Sequence, residues 1–558
     1  MKKVLKFVIF LLICAGFAFA QENSENPESE ELTLPDVSTV IYGGALKVGK
    51  SAIPDYSEIL PKDAEITEDF KIELPEGENQ NIQNQTASVM QEPKEKSIFA
   101  NGVFGAGFPG HFLGDFTIYR QTKNPFKINF LHESSLSYAF KSVNDGFFDR
   151  NTEVSGEKEL NLKNVRFNFS GFYKNLSDGM QSKSLVLSDV TKNNLGANVD
   201  FLWQIKNGFY LDLDLGGQWY NRFANLVGED SVKDAILSYL KKVSVLTLNP
   251  SFDFGWKNDS FKVGLNGNYL LESDLDSSFE NEKNLNRAQF LFDFSWKSSL
   301  VKLFLKSGIV FGNVQNDSGL SFPFEASTDF TFKTPLSTRN VILSASGGLK
   351  SKTFLASELE QKYKFASLCD LPGETSDWFA HLNFSLPIKN AFSLLCEGTF
   401  YKTAFENGRF EPNYNADSSI INSNFASQYI FNKSDLTQFN TIFGFSLKAG
   451  IFTMNTYFSS FWLDVPALEY KNSLGTSVSL QSENSKVGLD ARVLFNFDEN
   501  YDRVPILDFS AFLRVTSAIR LAINADDIVK LISQTSRVYA GEYIQRGGRV
   551  SLVVKFNF

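Results

Sequence analysis

The chain has 558 residues, 54 Lys and Arg against 64 Asp and Glu, and a formal net charge of -10 at pH 7. That balance leaves no basic excess to neutralise phosphates, which argues against a nucleic-acid partner. Phenylalanine supplies 56 residues at a mean hydropathy of only -0.16, a combination that suits strands greasy on one face and polar on the other.

The N-terminus reads as a secretory signal. Lys2, Lys3 and Lys6 form a positive region, Phe7 to Cys14 an apolar one, and Ala18-Phe19-Ala20 a small-x-small site with cleavage between Ala20 and Gln21. A lipoprotein cut before Cys14 would need a small residue where Ile13 stands. Beyond the signal no run of about eighteen apolar residues remains, so no transmembrane helix is available. Only Cys369 and Cys396 survive processing. They could pair in an oxidising compartment, but two cysteines are neither a disulfide framework nor a metal site.

Residues 21–95 carry acidic residues well in excess of basic ones, six prolines (Pro27, Pro35, Pro54, Pro61, Pro75, Pro93) and a Gln/Asn-rich tail from Gln80 to Gln91. Such a composition cannot bury enough apolar surface to fold alone, so a mostly extended periplasmic segment is expected. Gly44-Ala45-Leu46-Lys47-Val48-Gly49-Lys50-Ser51 matches the phosphate-loop pattern. That loop needs a strand before it and a helix after it. Pro54 and Pro61 interrupt the helix, and fewer than fifty residues follow before the texture changes. Nucleotide binding is set aside.

From about Lys96 to Phe558 the texture is alternation. In Phe290-Leu291-Phe292-Asp293-Phe294-Ser295-Trp296 every even position is aromatic, and Phe252-Asp253-Phe254-Gly255-Trp256 repeats the pattern. The stretches from Phe209, Val487 and Leu507 alternate likewise. A period of two puts one class on each face of a strand. A soluble sandwich would share the period. A chain this long would then have to split into several domains, and no boundary is visible. Trp203, Trp256 and Trp296 each close a strand before a short polar turn, as an interfacial girdle requires. The expectation is an all-β, large antiparallel transmembrane barrel over residues 96–558, with roughly 20 to 22 strands at about twenty residues per strand and its loops. Short turns of the Trp203 type are expected at the periplasmic side. The polar stretches Glu272 to Arg287 and Asn407 to Thr437 are expected as external loops. Asp230 to Lys242, with Val232, Ile236, Tyr239 and Leu240 at helical spacing, is expected as a short loop helix.

Candidate chemistry is sparse. Of His111, His132 and His381, only His132-Glu133-Ser134-Ser135 has catalytic residue types together, and neighbours on a strand point to opposite faces. Asp212, Asp214, Asp253, Asp293, Lys302, Lys306, Asp490, Arg492, Asp508 and Arg514 lie on the polar faces. Their mixed signs predict interior ion pairs as much as a selective pore. No catalytic, metal or cofactor site is expected.

The two ends of the barrel region carry a resemblance. The closing strand, with Val550, Leu552, Val554, Phe556 and Phe558 on one face, looks like the signal read by the outer-membrane barrel assembly machinery. Leu521 to Asp527, then Tyr539-Ala540-Gly541-Glu542-Tyr543 and Arg546-Gly547-Gly548-Arg549, resembles the last hairpin of TonB-dependent receptors. Gly105 to Phe108, Gly114-Asp115-Phe116 and Phe126 to Ser135 look like the opening strands of plug-less relatives of those receptors. A receptor of that kind fills its barrel with a plug of well over a hundred residues, and residues 21–94 offer no plug-like core. It also carries a short extended box for TonB; Thr33 to Gly43, with Val37, Ser38, Thr39, Val40 and Ile41, could serve by strand addition. The resemblance implies a non-enzymatic barrel in outer-membrane lipid, serving transport with a TonB-like or other periplasmic partner. The rivals are a general porin and a structural or assembly barrel whose acidic arm recruits periplasmic proteins.

Overall fold

The computed structural model describes residues 98–557, apart from 121–123, 185–186, 228–241, 277–278, 280–283, 315–316, 336–339, 389–390, 404–408, 415–428, 483–484, 499–500 and 542. The signal with Ala20 and Gln21, the acidic segment with Val37 to Ile41, the Gly44 to Ser51 match and Phe558 all lie outside the described residues. So does the helix expected over 230–242, except Lys242, which opens a strand.

Twenty-two antiparallel strands close into one barrel, from Phe99–Phe108 to Arg549–Asn557. Along the wall each strand pairs with its sequence neighbours. One position is split: Asp317–Ser321 and Phe324–Phe332 both pair with Val301–Val314 and together count as one strand. Pro323, which has no backbone N–H, stands at the break.

The period-two reading of the sequence is the wall of this barrel. In Asn284–Lys297, Phe290 and Phe292 are 49% and 52% exposed, while Leu291 and Asp293 between them are 6% and 3% exposed. Leu213, Leu215, Phe254, Leu489, Phe509 and Leu513 share the outward face. An apolar exterior over a polar, hydrogen-bonded interior is the pattern that lipid outside and polar groups inside demand.

The barrel closes where its first and last strands meet, Phe104 opposite Val554 and Gly102 opposite Phe556. The Phe104 and Phe556 rings stack at 5.7 Å. Gly102 leaves the room for this, because a Cβ there would come within 2.0 Å of the Phe556 ring.

Connections alternate between two ends. At the end holding Asn557 they are short: 162–164, 205–208, 258–260 and 298–300 follow the pattern expected of the Trp203 type. The Trp256 indole N–H donates to the Asn207 carbonyl of a neighbouring turn at 2.9 Å. At the other end lie the long ones, notably 354–373, 404–436 and 527–548. The external loop expected over Glu272 to Arg287 is shorter than that. Leu285 pairs with Glu272 and Arg287 with Leu270, so only 275–283 connects. The polar residues at those strand ends face the interior, which made paired strand look like loop.

Candidate functional site

The described parts of the long connections turn back into the barrel mouth and pack against its inner wall. The segment 354–372 carries a helix, Ala356–Lys362, built from strong helix formers. Glu358 in its first turn and Lys362 in its last complement the helix dipole. The Ala356 N–H donates to Glu272 Oε1 of the wall at 3.1 Å, and the Gln218 amide donates to Ser357 Oγ at 3.0 Å. Ala356, Leu359 and Tyr363 join wall residues Tyr220, Val243, Val245 and Leu270 in one buried apolar cluster.

Two residues of this segment are ionic hubs. Glu360 is fully buried. Its carboxylate accepts from the Tyr220 hydroxyl at 2.6 Å, the Leu368 N–H at 2.8 Å and the Arg222 guanidinium, while Lys192 donates to its carbonyl. Arg222 is also fully buried, so each charge is tolerable only because the other is there. Four residues on, the Lys364 ammonium lies 2.7 Å from Asp178 and 3.5 Å from Asp149. Its backbone N–H donates to the Tyr539 hydroxyl at 3.1 Å, and its carbonyl accepts from Tyr414 at 2.6 Å. Burial works against the Lys364 charge, but Asp178 and Asp149 outweigh it and hold the amine above the ordinary lysine range.

Around Lys364 the loops bring together an aromatic core. Phe365 stacks on Tyr543 at 3.9 Å, and Tyr429 and Tyr539 pack edge-on to Tyr414. Gly541 fits there with φ +55, where a Cβ would fall 1.5 Å from the Tyr429 hydroxyl. Gly541→Ala therefore meets both a left-handed backbone and a hard contact. The expected result is faster hydrogen exchange at 363–368 and 537–541, corresponding to about 2 kcal/mol of local stability. Tyr429→Phe in the same chain should recover part of it. Unchanged exchange in Gly541→Ala would remove the argument for a tightly packed lid.

The Arg546-Gly547-Gly548-Arg549 run is the third anchor. Glu133 receives Arg546 at 2.9 Å and Arg549 at 3.1 Å, with His111 at 3.3 Å. Arg549 also binds Asp526 at 2.6 Å, and Arg546 donates to Ser135 at 3.0 Å. The expectation that His132 and Glu133 face opposite ways holds. Glu133 is buried in this inner network, while His132 bonds Thr152 and lies against the Phe112 ring on the outer face. His381 bonds Thr399 at 3.0 Å. Deeper in the lumen, Lys262 bridges Asp253 and Asp293 at 3.4 Å each, an ion pair of the kind the mixed signs suggested. Cys369 and Cys396 are both free thiols.

Between the lid and the wall lies a cavity of about 830 Å³, within the roughly 300–1,000 Å³ of small-molecule sites. Loop residues Lys362, Tyr363, Glu411 and Glu469 face wall residues that include Lys306, Lys350 and Gln438. Burial and the neighbouring Glu411 push the Glu469 carboxyl up to about 7, against the pull of Lys362.

Of the residues singled out in the sequence, Val554 lies opposite Phe104 and Phe556 opposite Gly102 at the closing seam. The hubs Glu360 and Lys364 were not singled out. The one local signal was helix-forming composition in 356–362, and nothing in it points to Arg222 or Asp178.

No family model matches the chain, and no curated protein matches it. The closed 22-strand barrel is the fold of TonB-dependent receptors. Similar solved structures include the FrpB iron transporter of Neisseria meningitidis, at 10% identity and TM-score 0.59, covering 83% of this chain and 81% of that one. The copper transporter OprC matches at 11% identity and TM-score 0.59, covering 83% and 80%. The ferric enterobactin receptor PfeA of Pseudomonas aeruginosa matches at 9% identity and TM-score 0.57, again covering 83% and 80%. At such identities the likeness is one of fold.

Proposed function

We propose that the chain is a non-enzymatic outer-membrane barrel of the receptor type, moving a solute across that membrane through a lumen gated by its own loops. The observation that carries this reading is the lid: three buried ionic anchors and an aromatic core hold loop segments against the inner wall at one end. Loop segments held at the mouth by discrete anchors suit a gated path better than a permanently open sieve. Transport by the similar structures FrpB and OprC lends support. In this reading residues 1–20 are removed by cleavage between Ala20 and Gln21, and the short-turn end faces the periplasm. Val554, Phe556 and Phe558 serve as the assembly signal. The acidic segment 21–95 offers Val37 to Ile41 to a TonB-like periplasmic protein.

The test is photo-cross-linking from single positions in Val37 to Ile41 in cells, together with planar-bilayer recording of the purified chain. A captured energy-transducing periplasmic protein and a closed lumen at rest are expected. Steady stepwise conductance from the intact protein, with no capture, would favour a general porin instead.

A further inference from the structure

Three groups around the lid cavity each lack a direct hydrogen-bond or ion-pair partner among the described residues, although Lys362 acts on Glu469 from further off. Gln438 is 6% exposed, and its Nε2 has no hydrogen-bond partner among the described residues. Glu469 Oε2 is likewise shut off from solvent without a partner there. Lys306 forms no ion pair among the described residues, although Glu325 stands opposite it in register. A buried donor or acceptor left unmade costs the full desolvation of that group, so Gln438 and Glu469 would each gain by turning that atom toward a ligand's polar group in the cavity they line. Gln438, Glu469 and Lys306 all line this one space.

Their placement orders the chemistry. Glu469 belongs to the lid connection 462–471, and Glu411, also on a loop, lies nearby. Gln438 sits at the lid end of the strand Thr437–Ala449. Lys306 comes from the middle of Val301–Val314, opposite Asp293, and is therefore further from the lid. A ligand would meet an anionic group at the lid, an amide donor next, and a cation deeper in the lumen. Lys350 adds a second cation on that wall, 3.6 Å from Glu325. Tyr401 and Tyr363 supply apolar faces along the side.

We infer that the lid cavity is a binding site for a short zwitterionic peptide, its ammonium on Glu469, a backbone carbonyl on Gln438 and its carboxylate on Lys306. A peptide has the three groups in that order along its length. A neutral sugar would leave Lys306 and Glu469 without counter-charges, and a simple anion would leave Glu469 worse off. The inference deepens the transport reading only in naming the solute; binding itself stands apart from it.

The experiment titrates the full-length protein in detergent with tri-alanine, N-acetyl-tri-alanine, tri-alanine amide and maltotriose, by calorimetry. Tri-alanine is expected to bind, and blocking either terminus should weaken it by about tenfold or more. In Glu469→Gln the N-acetyl block should make no further difference, and in Lys306→Met the amide block should make none. Heat-modifiable gel mobility checks that each variant is a folded barrel. If a variant fails to fold, the blocked peptides on the native protein still decide. No binding of tri-alanine, equal binding of the blocked forms, or preference for maltotriose would overturn the site. Tri-alanine that binds as described but is not taken up by energised cells would sink the transport reading while leaving the site intact.

Discussion

Glu360→Ala is expected to release the lid while leaving the barrel assembled. The substitution leaves Arg222, fully buried, without its carboxylate, and strips the Tyr220 hydroxyl and the Leu368 N–H of their acceptor. Removing one partner of a buried pair costs about 3–5 kcal/mol, on the order of a hundredfold or more in the opening equilibrium of the segment. The wall's ladder hydrogen bonds do not involve Glu360, so heat-modifiable mobility should persist. Hydrogen exchange across 356–368 should accelerate, and planar bilayers should show openings absent from the native protein. Replacing both partners together, Arg222→Met with Glu360→Leu, should recover much of the loss, because an apolar pair carries no stranded charge. Native exchange rates in Glu360→Ala would show that the helix is held by its apolar face alone.

The second large effect is expected at Lys364. Lys364→Met withdraws the ammonium that lies between Asp178 and Asp149, and takes from Asp178 the lid cation 2.7 Å away. Arg546 remains 3.7 Å from Asp149, so Asp178 is the more exposed to the loss. The cost is again about 3–5 kcal/mol. It should spread further than that of Glu360→Ala, because the Lys364 backbone also holds Tyr539 and Tyr414. Exchange should rise at 537–541 as well as at 363–368. Adding Asp178→Asn should return part of the stability, a coupling that a purely steric defect would not show. If the two substitutions simply add, the ion pair is not what seats the loop.

Much of the wall was legible because its information is local. Phe290, Phe292, Leu291 and Asp293 declare their faces within four residues, and the structure places them as the period-two rule requires. The last hairpin was legible as a resemblance, and the structure adds what Arg546 and Arg549 do, which is to converge on Glu133. The stretch Glu272 to Arg287 misled for a related reason. Polar side chains mark a loop or an inward-facing strand end equally well, and only the pairing of Leu285 with Glu272 separates the two.

The lid was not legible. Arg222 and Glu360 lie 138 residues apart, and Gln181 reaches Ile544 across 363. Pairs so distant leave no periodic trace, since any buried arginine suits any buried carboxylate. That residues 21–94 would offer no plug-like core was legible only as an expectation from composition. That connections such as 354–373 and 527–548 would themselves turn into the mouth was not, because that depends on where the wall's inward side chains stand once the strands have closed. The sequence by itself thus determined the class of wall, its two faces and the approximate strand number, since each strand encodes its own alternation. Only the tertiary structure decided that twenty-two strands close, and which charges meet inside, since those are properties of a curved surface that no single segment contains.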